Sequence, residues 1–360
     1  MKKIILLPVM IFALSFFSCN TTEPPDDNKG NGLDTTSHTI NWIVEDIGES
    51  GSILRDVAII SDTLAYAVGE IYRNDSLFNV AKWDGQIWVL KKLYYNQNST
   101  ISKIRGIFVN SLDNIWIAAG SIFHWDGVSS SVQLSFSRLD LSDPNGTVEK
   151  LWSSNSMIYG VGNSGTIVLY VNNQWQELES GTNINLRDVW GSPDGSIVWV
   201  AGFEDSYGTV FLRNTGNGFE KVLEITDPNM PHPPNEITHV FKSLWTDSAD
   251  TVYLGAVGRV YAAPKNTTGY AKENIWWDYA NETELPPATN IIRGTANNDV
   301  FVGGYLQFVR HWNGASWKEY SEIEGDGTWR SMSIKNDLVI TVGENFSNGN
   351  ARIARGYRIK

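Results

Sequence analysis

The chain is poor in the residues that most often build metal sites and nucleophilic sites. Cys19 is its only cysteine, so no disulfide can form within the chain. The five histidines are His38, His124, His232, His239 and His311. One His-x6-His pair lies in a proline-rich segment without zinc-site spacing, and the chain has no Walker loop, His-Glu-x-x-His or Gly-x-Ser-x-Gly. We therefore predict no metal ion, no cofactor and no catalytic residue of these kinds.

Positive charge is also scarce. The chain has 28 lysines and arginines against 40 acidic residues, which gives a formal net charge of −12. Removing residues 1–18 takes away Lys2 and Lys3 and no acid, so the charge changes by two, from −12 to −14. Proteins bind nucleic acid largely by neutralising phosphates with cations. We therefore predict no nucleic-acid partner and no attachment to an anionic lipid surface through charge.

The N-terminus carries a short apolar segment. Met1-Lys2-Lys3 precedes 14 residues, 4–17, that are mostly apolar, and a membrane-spanning helix needs about 20. This arrangement is typical of a signal peptide. Its end, Ser18-Cys19, resembles the bacterial lipoprotein signal, which implies that residues 1–18 are removed and that Cys19 is lipidated. An ordinary secretory signal with an incidental cysteine is the alternative.

The segment after Cys19 is polar and rich in turn-forming residues. Residues 19–37 contain Glu23-Pro24-Pro25-Asp26-Asp27 and show no apolar periodicity. Such composition is typical of disordered linkers. We expect these residues to tether a folded domain, residues 38–360, to the outer membrane on its periplasmic or surface-exposed side, as a monomer.

The chain is rich in an internal repeat. Seven units of about 37 to 55 residues begin near residues 54, 104, 148, 186, 241, 292 and 329. Each unit contains several short β-branched or aromatic runs, and hairpin signals such as Asp84-Gly85, Asp126-Gly127 and Asn313-Gly314 separate some of them. Asp-Gly and Asn-Gly favour type I′ turns. Because repeats of this length with four short strands are typical of propeller blades, the predicted fold is an all-β, seven-bladed β-propeller.

The ends of the chain predict how the ring closes. The last unit supplies three strands, whereas Asn41-Trp42-Ile43-Val44-Glu45-Asp46-Ile47 resembles the fourth strands of other units. We therefore expect this N-terminal strand to close the last blade, which would cover two exposed sheet edges. Six or eight blades remain alternatives.

The second residue of the opening strand is basic in six of the seven units, with Glu149 as the exception. These residues are Arg55, Arg105, Arg187, Lys242, Arg293 and Arg330. Inner strands line the central channel, so the six would form a ring in which like charges repel unless they are paired or hold an anion. One interpretation is a site for a carboxylate, phosphate or acidic glycan. The other is that each cation pairs with an acid or carbonyl of a neighbouring blade, with Asp56 and Asp188 as candidates.

Two family resemblances support the predicted fold. The segment Asn110-Ser111-Leu112-Asp113-Asn114-Ile115-Trp116-Ile117 resembles the repeats of two-component-regulator propellers. Across about residues 40–360, the units are similar to those of photosystem-assembly-factor-like propellers and of lipoproteins of the Bacteroidota and Ignavibacteria type. These resemblances imply a periplasmic or surface propeller and leave its ligand open.

Two classes of function fit these features. The first is a lipid-anchored interaction module that presents propeller loops to an envelope protein or a glycan. The alternative is a glycan-active enzyme with carboxylates at a channel mouth, for which Glu70, Glu204, Asp205 and Glu344 follow second strands. Enzymes of that kind need two carboxyl groups about 5–10 Å apart.

His124 and His311 occupy equivalent positions in their units and are predicted to lie on blade surfaces.

Overall fold

The computed structural model shows an all-β protein. It describes residues 35–96, 99–154, 157–204, 208–226, 240–247, 251–268, 275–278 and 289–359. Within these ranges the helical segments are two short 3-10 turns, Arg138–Asp140 and Ser321–Ile323. None of the helices in the described ranges is long and apolar enough to cross a membrane.

Seven four-stranded antiparallel sheets form the blades. Blade 1 contains β2 (Ile53–Ser61), β3 (Leu64–Arg73), β4 (Ser76–Trp83) and β5 (Trp88–Lys91), and is followed by the short pair β6 (Tyr94–Tyr95) and β7 (Ser99–Thr100). Blade 2 contains β8 (Gly106–Ser111), β9 (Asn114–Ala119), β10 (Ser121–Trp125) and β11 (Gln133–Phe136). Blade 3 contains β12 (Lys150–Ser154), β13 (Met157–Val161), β14 (Ile167–Val171) and β15 (Gln174–Leu178).

The remaining blades repeat this order. Blade 4 contains β16 (Leu186–Gly191), β17 (Val198–Phe203), β18 (Thr209–Asn214) and β19 (Phe219–Ile225). Blade 5 contains β20 (Phe241–Thr246), β21 (Thr251–Ala256), β22 (Arg259–Pro264) and β23 (Ile275–Asp278). Blade 6 contains β24 (Thr289–Ala296), β25 (Asp299–Gly304), β26 (Val309–Trp312) and β27 (Trp317–Glu319). Blade 7 contains β28 (Gly327–Lys335), β29 (Leu338–Asn345), β30 (Ala351–Arg358) and the N-terminal strand β1 (Ile40–Ile47).

The ring closes as predicted. The inner strands contact one another in the order β2, β8, β12, β16, β20, β24, β28 and back to β2. β1 pairs with β30 along its whole length, from Ile40 opposite Arg358 to Ile47 opposite Ala351. Apolar side chains of blades 1 and 7 share one core, to which Leu54, Ile340 and Ile353 belong. The N-terminal strand is therefore the outer strand of the last blade, and there are seven blades.

The Asp-Gly hairpins form, but not as the predicted type I′ turns. Gly85 has φ +96° and Gly127 has φ +73°, whereas Asp84 and Asp126 stay outside the left-handed region. In the first turn, Asp84 Oδ1 accepts hydrogen bonds from the backbone N–H groups of Gln86 and Ile87, each at 2.9 Å. Because the aspartate side chain takes over the role of a turn acceptor, only the glycine needs a positive φ.

Large aromatic side chains fill the spaces between blades. Trp125, Trp199 and Trp329 are fully buried, and Trp199 stacks on Phe211 with ring centroids 4.7 Å apart. An aromatic side chain buries about 150–250 Å², so a few of them supply much of the apolar area of a core. Blade-to-blade packing thus relies on a few large residues, as expected for units that contact only their neighbours.

Candidate functional site: the basic mouth of the central channel

The two ends of the channel differ because all inner strands run in the same direction. We call the end at which they begin, near Ile53 and Gly327, the mouth face. The end at which they finish, near Ser61 and Lys335, is the turn face. Strands alternate in direction within a blade. Loops between second and third strands therefore lie on the mouth face, and turns between first and second strands lie on the turn face.

A cavity of about 200 Å³ opens at the mouth face. All six residues of the predicted ring line it, together with one lysine that the sequence analysis did not single out. These basic residues are Arg55, Arg105, Lys150, Arg187, Lys242, Arg293 and Arg330. Seven cations from all seven blades therefore converge on one end of the channel in a protein that is acidic as a whole.

Arg293 does not occupy the ring position that the alignment of the repeats assigned to it. Five of the seven inner strands carry an irregularity near their start, for example at Leu54/Asp56 in blade 1 and at Thr289/Ile291 in blade 6. The equivalent of Arg55 is therefore Asn290, and the inner strand of blade 6 begins at Thr289 rather than near 292. Arg293 lies three residues farther along its strand, deeper in the channel, where it is 7% exposed.

The ring arginines are paired with acids. Glu149 forms salt bridges with Arg105 at 3.3 Å and with Arg187 at 3.2 Å, across both of its blade boundaries. Arg55 pairs with Glu70 at 2.7 Å, and Arg330 pairs with Glu344. The last two acids belong to the same blade as their arginines, not to a neighbouring blade as expected.

Lys242 takes part in the same polar layer. Its Nζ donates to Asn290 Oδ1 at 2.9 Å, and the ammonium lies 5.6 Å from the ring centre of Phe203. The guanidinium of Arg187 lies 5.5 Å from the same ring centre. The cations of blades 4 and 5 therefore share one aromatic side chain.

A second layer of ion pairs lies below the mouth. Asp188 accepts a bidentate pair of hydrogen bonds from Arg293, at 2.9 and 3.1 Å, and one from Ser243 at 2.7 Å. Asp56 accepts from Lys150 Nζ at 2.7 Å and from Ser331 at 2.5 Å. Both aspartates are almost fully buried. These two clusters tie six of the inner strands together.

Electrostatics keeps the buried Asp188 ionised. Burial alone would raise the pKa of its carboxyl group, but the charges of Arg293 and Lys150 and the hydrogen bonds from Arg293 and Ser243 outweigh burial. The pKa of Asp188 therefore lies below its usual range. A general acid in glycoside chemistry needs a raised pKa, so Asp188 is not suited to the role of general acid.

The structure describes three of the four carboxylates that the sequence analysis named for the enzymatic alternative, Glu70, Glu204 and Glu344. Glu70 and Glu344 are held by arginines, as described above. Glu204 is not part of the cavity lining, and Asp205 lies outside the described residues. Within the described ranges, no group of three His, Cys, Asp or Glu side chains is placed to hold a metal ion. Cys19, His232 and His239 also lie outside the described residues.

Positive charge exceeds negative charge at the mouth. The seven cations face five carboxylates, Asp56, Glu70, Glu149, Asp188 and Glu344, so the described side chains leave an excess of two positive charges. The side chains of Arg105, Arg187 and Arg330 remain 31–38% exposed. Each guanidinium has five N–H donors, so an exposed, paired arginine still presents donors to the cavity.

Comparisons with known proteins place the fold. No protein-family model matches the chain, and no curated protein matches it in sequence. Among solved structures, YCF48 bound to D1 peptide is 15% identical with a TM-score of 0.59, covering 91% of this chain and 100% of that one. Virginiamycin B lyase from Staphylococcus aureus, solved with quinupristin, is 9% identical with a TM-score of 0.63, covering 89% and 100%.

A third similar structure is an extracellular domain. The extracellular domain of a putative one-component system from B. thetaiotaomicron is 14% identical with a TM-score of 0.58. The match covers 88% of this chain and 40% of that one. At these identities the comparisons establish the propeller fold, which serves both binding proteins and enzymes.

Proposed function

We propose that the protein is a lipid-anchored interaction module of the cell envelope that binds an anionic group of its partner at the basic mouth. The observation that carries the proposal is the convergence of seven cations from seven blades on one cavity. In a protein with a net negative charge, cations without a common ligand would be expected to be spread over the surface among the acidic side chains. A channel mouth is also where loops of several blades can contact one ligand.

The ion pairs within the mouth support binding. Glu149 holds Arg105 and Arg187 on either side of the cavity, so their side chains are already ordered before a ligand arrives. Ordering a flexible side chain on binding costs about 0.5–1.5 kcal/mol, and hydrogen bonds to charged groups contribute about 1.5–3 kcal/mol each. Two or three such bonds suffice to hold a carboxylate or phosphate group, and about 200 Å³ accommodates a group of that size.

Proteins with related folds support a protein partner. YCF48 was solved with a bound peptide, and the B. thetaiotaomicron domain is extracellular. Cys19, if lipidated, would place this propeller in the envelope as well. An anionic segment of another envelope protein therefore fits the proposed site, with an acidic glycan as the second candidate.

The site can be tested by anion-dependent stabilisation. We expect sulfate and glucuronate to raise the melting temperature. At an anion concentration ten times its Kd, the free energy of unfolding should increase by about 1.4 kcal/mol. Arg105→Gln with Arg187→Gln should abolish the shift. The matched control is Lys221→Gln with Lys318→Gln, which removes the same charge from outer strands β19 and β27.

The difference between the two double variants is the decisive measurement. Sulfate also stabilises proteins by exclusion from their surface, and that effect should be equal in both variants. If the mouth variant and the control respond equally to both anions, the mouth does not bind anions and its cations only pair with acids.

A further inference from the structure

The loop between β25 and β26 has an unusual backbone for its sequence. Leu306 and Gln307 have φ values of +60° and +55°. Side chains other than glycine pay a steric cost in this left-handed region, and Asn and Asp tolerate it best. The other non-glycine residues with positive φ in the described ranges are all Asn, Asp or Ser: Asn74, Asp75, Asn96, Ser164, Asn172, Asn173 and Asn336. A leucine at this position is thus disfavoured by local energetics.

Buried contacts hold this strained turn in place. Gln307 is fully buried, and its side chain donates to the carbonyl of Glu344 at 3.2 Å and accepts from Arg352 at 3.1 Å. The carbonyl of Gln307 accepts from Trp329 Nε1 at 2.6 Å. Gly325 N–H donates to the carbonyl of Leu306 at 3.0 Å. These hydrogen bonds account for the positive φ of Gln307, but none of them involves the side chain of Leu306.

The turn and the neighbouring loop between β29 and β30 expose apolar side chains on the mouth face. Tyr305, Leu306 and Phe346 are each 45% exposed, and the rings of Tyr305 and Phe346 lie 6.1 Å apart. We call these three residues the apolar patch. Backbone strain at a partly exposed apolar residue is a reason to look for function.

The apolar patch adjoins the basic mouth. Tyr305 forms an antiparallel bridge with Thr328, and Thr328 Oγ1 accepts from Asn290 Nδ2 at 2.8 Å. Asn290 lines the mouth. One strand spacing and one side-chain contact therefore separate the two features, which amounts to about 10–15 Å, or about three to five residues of extended peptide.

We propose that the apolar patch binds a large apolar side chain of a protein partner whose acidic residue or C-terminal carboxylate occupies the basic mouth. The occupant is thus an extended acidic peptide segment with a Phe or Leu about three to five residues from its carboxylate. This inference rests on the proposed function of the mouth. Both an acidic peptide and an acidic glycan match the charge of the mouth, but the neighbouring surface of aliphatic and aromatic side chains favours a peptide.

The probe is a series of fluorescein-labelled peptides in which one Phe is followed by two to five Gly/Ser residues and a C-terminal Glu-Glu. Fluorescence anisotropy with the full propeller should give tighter binding for the Phe peptides than for matched Ala peptides. Burial of a phenyl ring corresponds to a Kd difference of about tenfold. The affinity ratio should be largest at one spacing.

The decisive variant is Leu306→Asn. Asparagine accepts a positive φ, so this variant should melt no lower than the wild type. It should raise the Kd of the Phe peptide about tenfold and leave the Kd of the Ala peptide unchanged. A test variant that keeps its stability separates loss of the patch from loss of the fold.

The outcomes distinguish the patch from the mouth. The patch inference is wrong if Phe and Ala peptides bind with equal Kd, or if Leu306→Asn leaves the ratio of their two Kd values unchanged. If Arg105→Gln with Arg187→Gln abolishes binding in either case, the mouth still binds anions. If neither an acidic peptide nor oligogalacturonate binds, both proposals fail. If oligogalacturonate binds instead and Leu306→Asn weakens it, the partner is a glycan and the inference of a protein partner is wrong.

Discussion

At the scale of single residues, Asp56 and Asp188 perform the same task in different blades. Each stands third in its repeat unit, and each accepts a backbone N–H from the inner strand of the next blade, Ile107 for Asp56 and Leu244 for Asp188, at 3.0 Å. Each is also paired with a cation. One carboxylate therefore satisfies both a neighbouring strand and a buried cation, which links blade packing to the charge pattern of the channel.

The ionisation of buried groups predicts how stability depends on pH. Burial lowers the pKa of His311 below 6.5, and the charge of Arg358 lowers it further. The hydrogen bond and the charge of Asp299 raise this pKa but do not outweigh burial. His38 is another titratable side chain in contact with His311. The unfolded chain therefore binds a proton below pH 6.5 that the folded chain does not bind. Stability should fall with decreasing pH in this range, by up to about 1.4 kcal/mol per pH unit.

Carboxylates add a second loss of stability at lower pH. The pKa values of Asp188 and Asp299 both lie below 3.8, because cations and hydrogen bonds outweigh burial. Their contribution is complete above the unfolded pKa and is lost as pH falls through the folded pKa. Urea unfolding at several pH values should show both falls, and His311→Gln should flatten the first one only. An unchanged slope between about pH 6.5 and 5 in this variant would contradict the assignment to His311.

The ring shows how far residue-level prediction could go. Arg55, Arg187, Lys242 and Arg330 lie at the irregularity of their inner strands, and Arg105 lies just before β8. Arg293 lies beyond the irregularity of β24, which is invisible in an alignment of Ile292-Arg293 with Leu54-Arg55. Lys150 was missed, although the sequence contains a signal for it. Glu149-Lys150 reverses the order of charges found in Arg55-Asp56, and the structure pairs Lys150 with Asp56.

At the scale of elements, the N-terminal strand was predictable because its pattern repeats elsewhere in the chain. Its register is supported by ion pairs with the final strand, Glu45 with Arg355 and Asp46 with Arg352, both at 2.6 Å. The segment just before it was not predictable. Thr36 donates to the carbonyl of Asn298 and His38 contacts His311 Nδ1 at 3.0 Å.

The N-terminal contacts explain why His311 is buried rather than on a blade surface as predicted. His311 is fully buried, stacks on Phe301 and contacts Asp299 Oδ1 at 3.0 Å. Because a carboxylate only accepts, the Nε2 of neutral His311 carries the proton and its Nδ1 accepts from His38. Its equivalent, His124, contacts Asn114 Oδ1 at 3.2 Å and is half-buried. Sequence periodicity relates the two positions but contains no information about a segment that packs on one of them.

Deletion of residues 39–47 should lower the melting temperature sharply. The deletion removes β1, exposes the edge of β30 and takes away the acids that pair with Arg352 and Arg355. Exposed edges promote association, so light scattering should rise as well. The matched control is deletion of residues 1–34, which retains β1 and should melt like the mature protein. A truncated protein without residues 39–47 that melts like this control would show that β1 contributes little to closure.

At the scale of the whole molecule, the two faces of the propeller have different surroundings. Thr36 contacts Asn298 and Asn313, which lie in turns of the turn face. The chain therefore reaches the propeller at the face opposite the basic mouth. Thr35 follows Cys19 by 16 positions, and a chain of that length spans at most about 55 Å. A lipid on Cys19 would thus hold the turn face nearer the membrane and leave the mouth directed towards other envelope proteins.

This orientation can be measured together with the anchor. Cys19→Ser should move the protein from the membrane to the soluble fraction, because stable attachment requires the acyl chains.

The orientation is measured with a fluorophore on a single introduced cysteine, in the variant Asp62→Cys or in the variant Arg73→Cys. Asp62 is exposed on the turn face and Arg73 is exposed on the mouth face, at opposite ends of β3. Eleven positions separate these residues, which corresponds to about 35 Å of extended chain. Energy transfer to acceptor lipids in proteoliposomes should be stronger from position 62, since the turn face lies closer to the bilayer. Equal transfer would contradict a preferred orientation, and stronger transfer from position 73 would place the mouth against the membrane and exclude a partner there.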